Sequence, residues 1–262
     1  MRGLLFLVLG FSLAWSRVHT VPIEPYEIYK IKSSVAGWVL ESHPEYEGRQ
    51  IREMVVVRLD DRIDRTDLAI LKRKEKILKK IFEKEREALD LLRKLTAIKE
   101  RGYQRIKDLS TKSKSEKDRR LAEFLSARQT FLAQGVKVEN LKLQMEDLRS
   151  KIAKLEDLIR KKNPKTSGYV YRIHPRKGDF VAAGAPLVDV ADVSRGKVVL
   201  YLAKEEVEGI ENKKIYIDGK ESNATLFKLI RIPDERHLGE YRAEIVLPRP
   251  ELFGKFIKVE IK

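Results

Sequence analysis

Residues 124–159 read FLSARQTFLAQGVKVENLKLQMEDLRSKIAKLEDLI, and the spacing of their apolar side chains decides the fold. Two rows, three residues apart, each recur every seven positions, which is the pattern of a coiled-coil helix. The first row is Phe124, Phe131, Val138, Met145, Ile152 and Ile159, and the second is Ala127, Gln134, Leu141, Leu148 and Leu155. The segment is therefore predicted to be one long helix that packs against a partner helix.

The partner helix is predicted immediately upstream, where the same spacing returns with more gaps. One row there is Leu71, Leu78, Leu92 and Ile106, and the other is Ile81, Ala88, Leu95 and Leu109. The stretch 62–163 lacks proline, and its middle, residues 110–115, reads STKSKS, which is a poor helix interior. Two arms of similar length around a polar break predict an antiparallel hairpin with its tip at 110–115. One uninterrupted helix is the alternative.

Two short segments that flank the hairpin are copies of one motif. Residues 37–44 read GWVLESHP, and residues 168–175 read GYVYRIHP. A repeat separated by helical residues indicates two half-motifs that pair into one small β-sandwich. The hairpin is then an insertion whose two ends meet at neighbouring strands. Its candidate N-caps are Asp60, Asp61 and Asp64.

The remaining chain is predicted to be a signal peptide and β-structure. Residues 1–16 combine Arg2, an apolar core and small residues before a cleavage site after Ser16, as in a secretory signal peptide. An uncleaved N-terminal anchor is the alternative. Residues 26–31 alternate as an edge strand does. Further strands are predicted at 197–203, 214–218, 225–231, 242–247 and 256–261, with a short helix at 204–210.

Composition restricts the function classes. The 262 residues include no cysteine, which excludes disulfides, cysteine zinc sites and thiol chemistry. The net charge is +15, and residues 62–165 hold 31 Lys or Arg against 17 Asp or Glu. Because these charges lie all round the helices, we interpret them as a solvated exterior. An exported basic coiled-coil protein that binds nucleic acid or an anionic envelope polymer is the alternative function.

The second half-motif resembles a known family, the HlyD-type periplasmic adaptors, which are also called membrane fusion proteins. The residues similar to the second lipoyl half of these adaptors are Gly168, Val170, Gly178, Asp179, Val181, Gly184, Pro186, Leu187 and Asp192. The first half resembles theirs too and ends in Leu59-Asp60 just before the helix, but it lacks the Gly-x-Pro-Leu step. The order of signal peptide, half-motif, hairpin, half-motif and β-module is more specific than any single motif.

The resemblance implies an elongated α+β protein. An antiparallel coiled-coil hairpin is expected between two halves of a lipoyl-like β-sandwich, followed by a small β-barrel. The expected divisions are 1–16 signal peptide, 17–31 linker and first strand joining the barrel, 32–61 first lipoyl-like half, 62–163 hairpin, 164–192 second lipoyl-like half and 193–262 β-barrel. Since the sequence ends at Lys262, the membrane-proximal domain of many adaptors is expected to be absent or reduced.

The resemblance also implies a function. The chain is expected to be a periplasmic adaptor of a tripartite efflux or secretion system, which bridges an inner-membrane transporter to a TolC-type outer-membrane channel. An ABC-type transporter is favoured over a proton-driven one. Copies are expected to form a homo-oligomeric ring, a hexamer by resemblance, and no nucleic acid is expected as a partner. Cleavage of the signal peptide would leave the protein in the periplasm.

The hairpin tip is the candidate partner-docking site. Adaptors that dock on TolC-type channels resemble one another there, with Arg, then Leu four residues later, then Ser seven after that. Arg105 and Leu109 stand at the first interval, whereas Ser115 comes one residue early and Glu116 takes the expected place. In the alternative interpretation, Leu109 is only the last coiled-coil core residue and Ser115 only caps the second helix.

No catalytic, cofactor or metal site is predicted. In true lipoyl domains the modified Lys lies on the tight turn between the halves, and the hairpin replaces that turn here. His43 and His174 hold equivalent places in the repeat, but neither has the nearby carboxylate or Cys ligands of a metal site. The sequence also lacks a Ser-His-Asp order and a Gly-rich phosphate loop, so the chain is not expected to be an enzyme.

Overall fold

The computed structural model describes residues 17–233 and 236–262, and the predicted signal peptide at 1–16 lies outside this part. The elements are β1 His19–Pro22, β2 Glu24–Lys32, β3 Gly37–Ser42, β4 Gln50–Val55, β5 Val57–Leu59, α1 Arg62–Gln104, α2 Lys114–Lys162, β6 Lys165–Ile173, β7 Phe180–Val181, β8 Pro186–Leu202, α3 Lys204–Val207, β9 Ile215–Ile217, β10 Lys220–Glu221, β11 Thr225–Ile230, β12 Tyr241–Leu247 and β13 Phe256–Ile261. The predicted helical hairpin between two β-rich parts is confirmed, and the alternative of one uninterrupted helix is wrong.

The apolar rows predicted for α2 form the core of the hairpin. The buried residues of this helix are Phe124, Ala127, Val138, Met145 and Ile152, and all of them belong to the two rows. On α1 the row Leu71, Leu78 and Leu92 is half-buried against α2. Because both rows of α2 and this row of α1 face the other helix, the hairpin has coiled-coil packing.

The second row predicted for α1 is wrong. Ile81 and Leu95 are 41% and 44% exposed, and Leu109 lies beyond the end of the helix. The half-buried positions instead follow the first row by four residues, and they are Glu75, Phe82, Leu89, Thr96 and Tyr103. Two of these side chains are polar, so apolar spacing alone selects the wrong face of α1.

Polar contacts across the coiled coil explain this choice of face. Gln134 Nε2 donates to the carbonyl oxygen of Glu85 at 2.9 Å and to its Oε2 at 2.7 Å. Thr96 Oγ1 lies 3.2 Å from the carbonyl oxygen of Ala127. Further cross-helix ion pairs join Lys99 to Glu123, Lys137 to Glu85, and Arg149 to Glu75. Because each contact needs one relative position of the helices, together they fix the register of the hairpin.

The two half-motifs form one β-sandwich, as predicted. Its first sheet has the order β5-β3-β7, and its second contains β4, β6 and β8, with β2 also paired to β8. Val39, Leu59, Val170, Leu187 and Val190 are among the side chains buried between these sheets. The halves complete one core, because β3 of the first half pairs with β7 of the second and β4 pairs with β6.

Gly168 marks a close approach inside this sandwich. Its φ is +123°, and an added Cβ would lie 2.5 Å from Cγ1 of Val190 and 3.4 Å from the hydroxyl of Tyr29. Only glycine fits such a backbone without displacing the neighbouring strand. The close packing against Val190 therefore requires glycine at position 168, the first residue of the second repeat copy.

A second β-module follows along the same long strand. β8 pairs with β6 near its start and with β12 over Gly196–Leu202. A separate sheet has the order β1-β13-β9-β10, so the N-terminal strand belongs to this module. The core of this module lies between this sheet and the sheet that contains β8 and β12. Its fully buried residues include Val198, Leu200, Ala243, Ile245 and Val259. The predicted α+β architecture is confirmed, with the hairpin inserted into the first of two β-modules.

Candidate docking site at the hairpin tip

The base of the hairpin is held by a buried carboxylate. Asp61 is fully buried at the start of α1. Its Oδ1 accepts from Arg58 Nη2 at 3.2 Å, and its Oδ2 accepts from Arg65 Nε and from Asn163 Nδ2, both at 2.7 Å. These partners come from β5, from α1 and from the residue after α2. One side chain therefore ties both helix ends to the sandwich.

The charge of this carboxylate is stabilised by its partners. Burial opposes ionisation, but the hydrogen bonds from Asn163, Arg58 and Arg65 outweigh it and lower the pKa of Asp61. Asp61 occupies the N-cap position of α1, as predicted, but its side chain makes no capping bond to the helix. Lys162 reinforces the junction by donating to the carbonyl oxygen of Asp60 at 2.8 Å and to Asp64 Oδ2 at 2.5 Å.

The tip at the far end is held by backbone turns. Residues 105–113 connect α1 to α2. Lys107 N donates to the carbonyl oxygen of Tyr103 at 3.1 Å, and Leu109 N donates to that of Ile106 at 3.2 Å. Ser113 is the N-cap of α2, because its hydroxyl accepts from Glu116 N at 3.2 Å. The alternative role of Ser115 as the cap is therefore wrong.

The three predicted docking residues lie at this end of the hairpin and all are exposed. Arg105 is the first residue after α1, Leu109 lies in the connection with 45% of its surface exposed, and Ser115 is in the first turn of α2. The side chains of Arg105 and Ser115 make no ion pair or hydrogen bond to another side chain within residues 17–233 and 236–262. Their polar groups are thus available to a partner.

The surroundings of the tip are basic. Residues 101–117 contain six Lys or Arg and two Asp or Glu. Lys112 Nζ lies 3.1 Å from Glu116 Oε1, and Lys107 Nζ lies 3.9 Å from Asp108 Oδ2. Both pairs are exposed, where such contacts contribute little to stability. The tip therefore combines an apolar side chain, free hydrogen-bonding groups and net positive charge.

Solved structures share this arrangement of hairpin and β-modules, although the sequence matches no protein-family model and no curated protein. MacA from Actinobacillus actinomycetemcomitans aligns over 94% of this chain and 78% of its own, with a TM-score of 0.66 and 15% identity. The membrane fusion protein Spr0693 from Streptococcus pneumoniae R6 aligns over 94% and 99%, with a TM-score of 0.52 and 12% identity. The chain has the membrane fusion protein fold.

A third solved structure is also similar to this chain. The MacA-MexA chimera, which contains the α-hairpin domain of Pseudomonas aeruginosa MexA, aligns over 94% of this chain and 81% of its own, with a TM-score of 0.50 and 15% identity. The predicted resemblance to membrane fusion proteins is thus confirmed for the fold. No helix in the described ranges has both the length and the apolar character that a bilayer crossing requires.

The paired histidines of the repeat take separate local partners in this membrane fusion protein fold. His43 Nδ1 lies 2.8 Å from Glu45 Oε1, and His174 Nε2 lies 3.0 Å from Asp189 Oδ1. Within residues 17–233 and 236–262, no group of three or more His, Cys, Asp or Glu side chains is arranged to hold a metal ion. The prediction that neither histidine has a carboxylate nearby is therefore wrong.

The sequence placed the tip at 110–115, whereas the connection between the helices is 105–113, and it did not predict the contacts at the base. Asp61 was recognisable only as a possible cap, because Arg58 and Asn163 are distant from each other in the sequence. A signal was present in the identity of the residues at the two helix ends. Asp61 and Asp64 begin one helix while Lys162 and Asn163 end the other, and a hairpin must bring these ends together.

Proposed function

We propose that this chain is a periplasmic adaptor of a tripartite efflux or secretion system. It would bridge an inner-membrane transporter to a TolC-type outer-membrane channel and would perform no reaction. The observation that supports this function best is the contrast between the ends of the hairpin. A buried network holds the base, and an exposed tip stands about 65 Å away, at 1.5 Å for each of the 43 residues of α1.

The tip is proposed to contact the channel through Arg105, Leu109 and Ser115. Leu109 offers apolar surface that is exposed in the free chain, and the two polar side chains flank it. A contact between this tip and the helical end of a channel would be of the coiled-coil kind, in which apolar side chains fit between helices. The β-modules are proposed to contact the transporter, for which an ABC type remains the prediction.

Apolar residues outside the hairpin core support a homo-oligomeric ring. Those on α1 that are at least 41% exposed include Ile70, Ile77, Ile81, Leu91, Leu95 and Ile98, and those on α2 that are at least 52% exposed are Leu125, Leu132, Val136 and Leu143. Exposed apolar rows at coiled-coil spacing are surfaces that pack on further helices. Because the rows lie on different helices, copies would pair head-to-tail, and such contacts form a ring when the rotation between neighbouring copies closes. Six copies is the number that the resemblance implies.

The function is tested by isolating the assembly. The tagged full chain is purified from detergent-solubilised envelopes of its own cells, and the membrane proteins that remain bound are identified by mass spectrometry. We expect a transporter and an outer-membrane channel with the wild type. Leu109→Glu should lose the channel and keep the transporter, because a charge would replace the apolar contact at the tip.

Ile63→Glu is the matched control, since Ile63 is 77% exposed at the opposite end of the hairpin. This variant should keep both partners. Retention of neither partner by the wild type would contradict the adaptor function. Equal loss of the channel in both variants would contradict docking at the tip.

A further inference from the structure

The β-sandwich presents an aromatic pair to solvent. The rings of Trp38 and Phe180 meet edge to face at a centroid distance of 5.3 Å, yet these residues are 61% and 58% exposed. Their strand neighbours Val39 and Val181 are buried in the sandwich core. Because successive side chains of a strand point to opposite faces, both rings lie on the outer face of the β5-β3-β7 sheet. Exposed aromatic clusters of this kind mark interaction surfaces.

A groove lies on the opposite outer face of the same sandwich. Its volume is about 1420 Å³, and its lining includes Pro25, Ile28, Tyr29, Tyr169, Tyr171 and Leu252. Tyr169 and Tyr171 flank the buried Val170, so they point outward from the second sheet. Tyr171 is 53% exposed at a bulge in the pairing of β6 with β8. The groove is therefore an open surface at the junction of the two β-modules, and three tyrosines contribute to its lining.

The internal repeat accounts for this difference between the faces. Trp38 and Tyr169 hold the same place in the two copies, GWV and GYV. Trp38 pairs across strands with Phe180, whereas Tyr169 pairs with Gln50. The rings of Trp38 and Phe180 project from their sheet. Tyr169 and Gln50 instead line the groove. Equivalent positions of the repeat thus contribute to an exposed aromatic pair on one face of the sandwich and to a groove on the other face.

Charge complements shape at the two surfaces. The exposed Arg176 and Lys177 lie on the turn that leads into Phe180. The groove is bordered by Glu24, Asp192 and Glu251, with Arg249 as its basic side chain. In residues 17–233 and 236–262, no salt bridge within the chain involves Lys177, Glu24 or Glu251. The same turn also carries the exposed Asp179, so its net charge is positive but small. This turn and the mainly acidic rim of the groove would attract one another.

We infer that Trp38 and Phe180 of one copy insert into the groove of a second copy of this chain. The inference rests on the proposed function, for which it names a contact between neighbours. Projection and groove are different surfaces on opposite faces of one sandwich, so the contact is head-to-tail. Such contacts propagate around a ring, and they differ from a two-fold interface, in which the same surface meets itself.

The test uses the absence of cysteine from the sequence. Phe180→Cys and Tyr171→Cys variants of the full mature chain are treated with a short thiol-specific cross-linker, alone and as a mixture, at a protein concentration high enough to offset the weaker association expected without the Phe180 ring. We expect the mixture to form a dimer joined between positions 180 and 171, and a chain with both substitutions to form a ladder. Dimers joined through 180 and 180, or no dimer in the mixture, would overturn the inference.

A second measurement tests the energetic role of the aromatic pair. Trp38→Ser and Phe180→Ser should each weaken self-association in sedimentation equilibrium about tenfold or more, since buried aromatic anchors dominate such contacts. Phe227→Ser is the matched control, because Phe227 is 56% exposed in a comparable ring pair with Tyr26 at 5.7 Å. Circular dichroism checks that every variant folds. Unchanged association of Trp38→Ser, or equal weakening by the control, would count against the contact.

Charge reversal distinguishes this contact from a general loss of affinity. Lys177→Glu or Glu251→Lys alone should reduce the mixed cross-link, and combining them should restore part of it. Failure here is separable from failure of the adaptor function. If the envelope purification yields transporter and channel while positions 180 and 171 never join, the contact is wrong and the function stands. If they join but no membrane partner is retained, the function is wrong and the contact stands.

Discussion

The base and the tip of the hairpin are built from the ends of the same two helices, but they are held differently. At the base, the buried Asp61 receives hydrogen bonds from three side chains, and Lys162 bridges to Asp64. At the tip, residues 105–113 are held by backbone turns and by the cap at Ser113. The base uses its polar groups internally, whereas the tip leaves them exposed.

The base of the hairpin therefore contributes mainly to folding stability, and the tip is available for binding a partner. A change at the base leaves buried donors without an acceptor, and the cost falls on folding. A change at the tip removes exposed groups, so the free chain loses little and a bound partner loses contacts. Substitutions at the two ends should therefore differ in which measurement they affect.

The largest effect is expected from Asp61→Ala. It removes the buried acceptor that Arg58, Arg65 and Asn163 share, so the free energy of unfolding should fall by about 3 kcal/mol. Urea denaturation followed by circular dichroism measures this change. Asp67→Ala is the matched control, because Asp67 is exposed and lies six residues further along the chain, in α1. Similar losses in both variants would show that the base is not held by its buried carboxylate.

A smaller loss is expected from truncation of the hairpin core near the base. Ile152→Ala removes a side chain that is 8% exposed and should lower the free energy of unfolding by about 2 kcal/mol. Leu109→Ala should change it little, because this side chain is 45% exposed. Thermal denaturation of the two variants compares core with tip directly. If Leu109→Ala destabilised the chain as much as Ile152→Ala, the tip would be part of the folded core.

Low pH should weaken the contacts that Asp61 makes at the base of the hairpin. Since the pKa of Asp61 is lowered in the folded state, its stabilising contribution is complete above the pKa of an unfolded aspartate, about 3.9. That contribution is lost as the pH falls through the lower folded value. The urea midpoint of the wild type should therefore fall more between pH 5 and pH 3 than that of Asp61→Asn. Parallel curves for the two proteins would contradict this role of the charge.

The smallest effect is expected at the cap of α2. Ser113→Ala removes the hydroxyl that accepts from Glu116 N and should cost about 1 kcal/mol, confined to the first turn. Hydrogen exchange of the amides near the tip should accelerate. Ser115→Ala, two residues away, should leave the exchange rates unchanged. Equal acceleration by both would contradict the assignment of Ser113 as the cap.

The sequence predicts the second helix better than the first, for a physical reason. On α2 the two predicted apolar rows are continuous apart from Gln134, whereas its other apolar residues form only short rows. On α1 two faces are apolar, one with Leu71 and Leu78 and the other with Ile77 and Ile81. The buried face also includes Glu85, which is accommodated because Gln134 reaches it from the other helix. Spacing within one helix cannot reveal a bond that depends on the register between two.

The β-modules show the same division between local and long-range information. The repeat and the alternating strands predict the sandwich and the later β-structure, because these signals are local. Strand partners such as β1 with β13 join residues at the two ends of the chain, and no local pattern specifies them. The tip residues followed from the resemblance and the hairpin topology. The groove and the Trp38–Phe180 pair could not be predicted, because they depend on how the two sheets of the sandwich pack.

Site-specific cross-linking in cells tests the central claim most directly, that the tip meets an outer-membrane channel. Ser115→Cys and Ser150→Cys replace the same residue type at two exposed positions of α2, about 52 Å apart. With a thiol-specific photo-cross-linker, Ser115→Cys should capture an outer-membrane channel and Ser150→Cys should not. Capture of the channel from both positions alike, or from neither, would contradict the account.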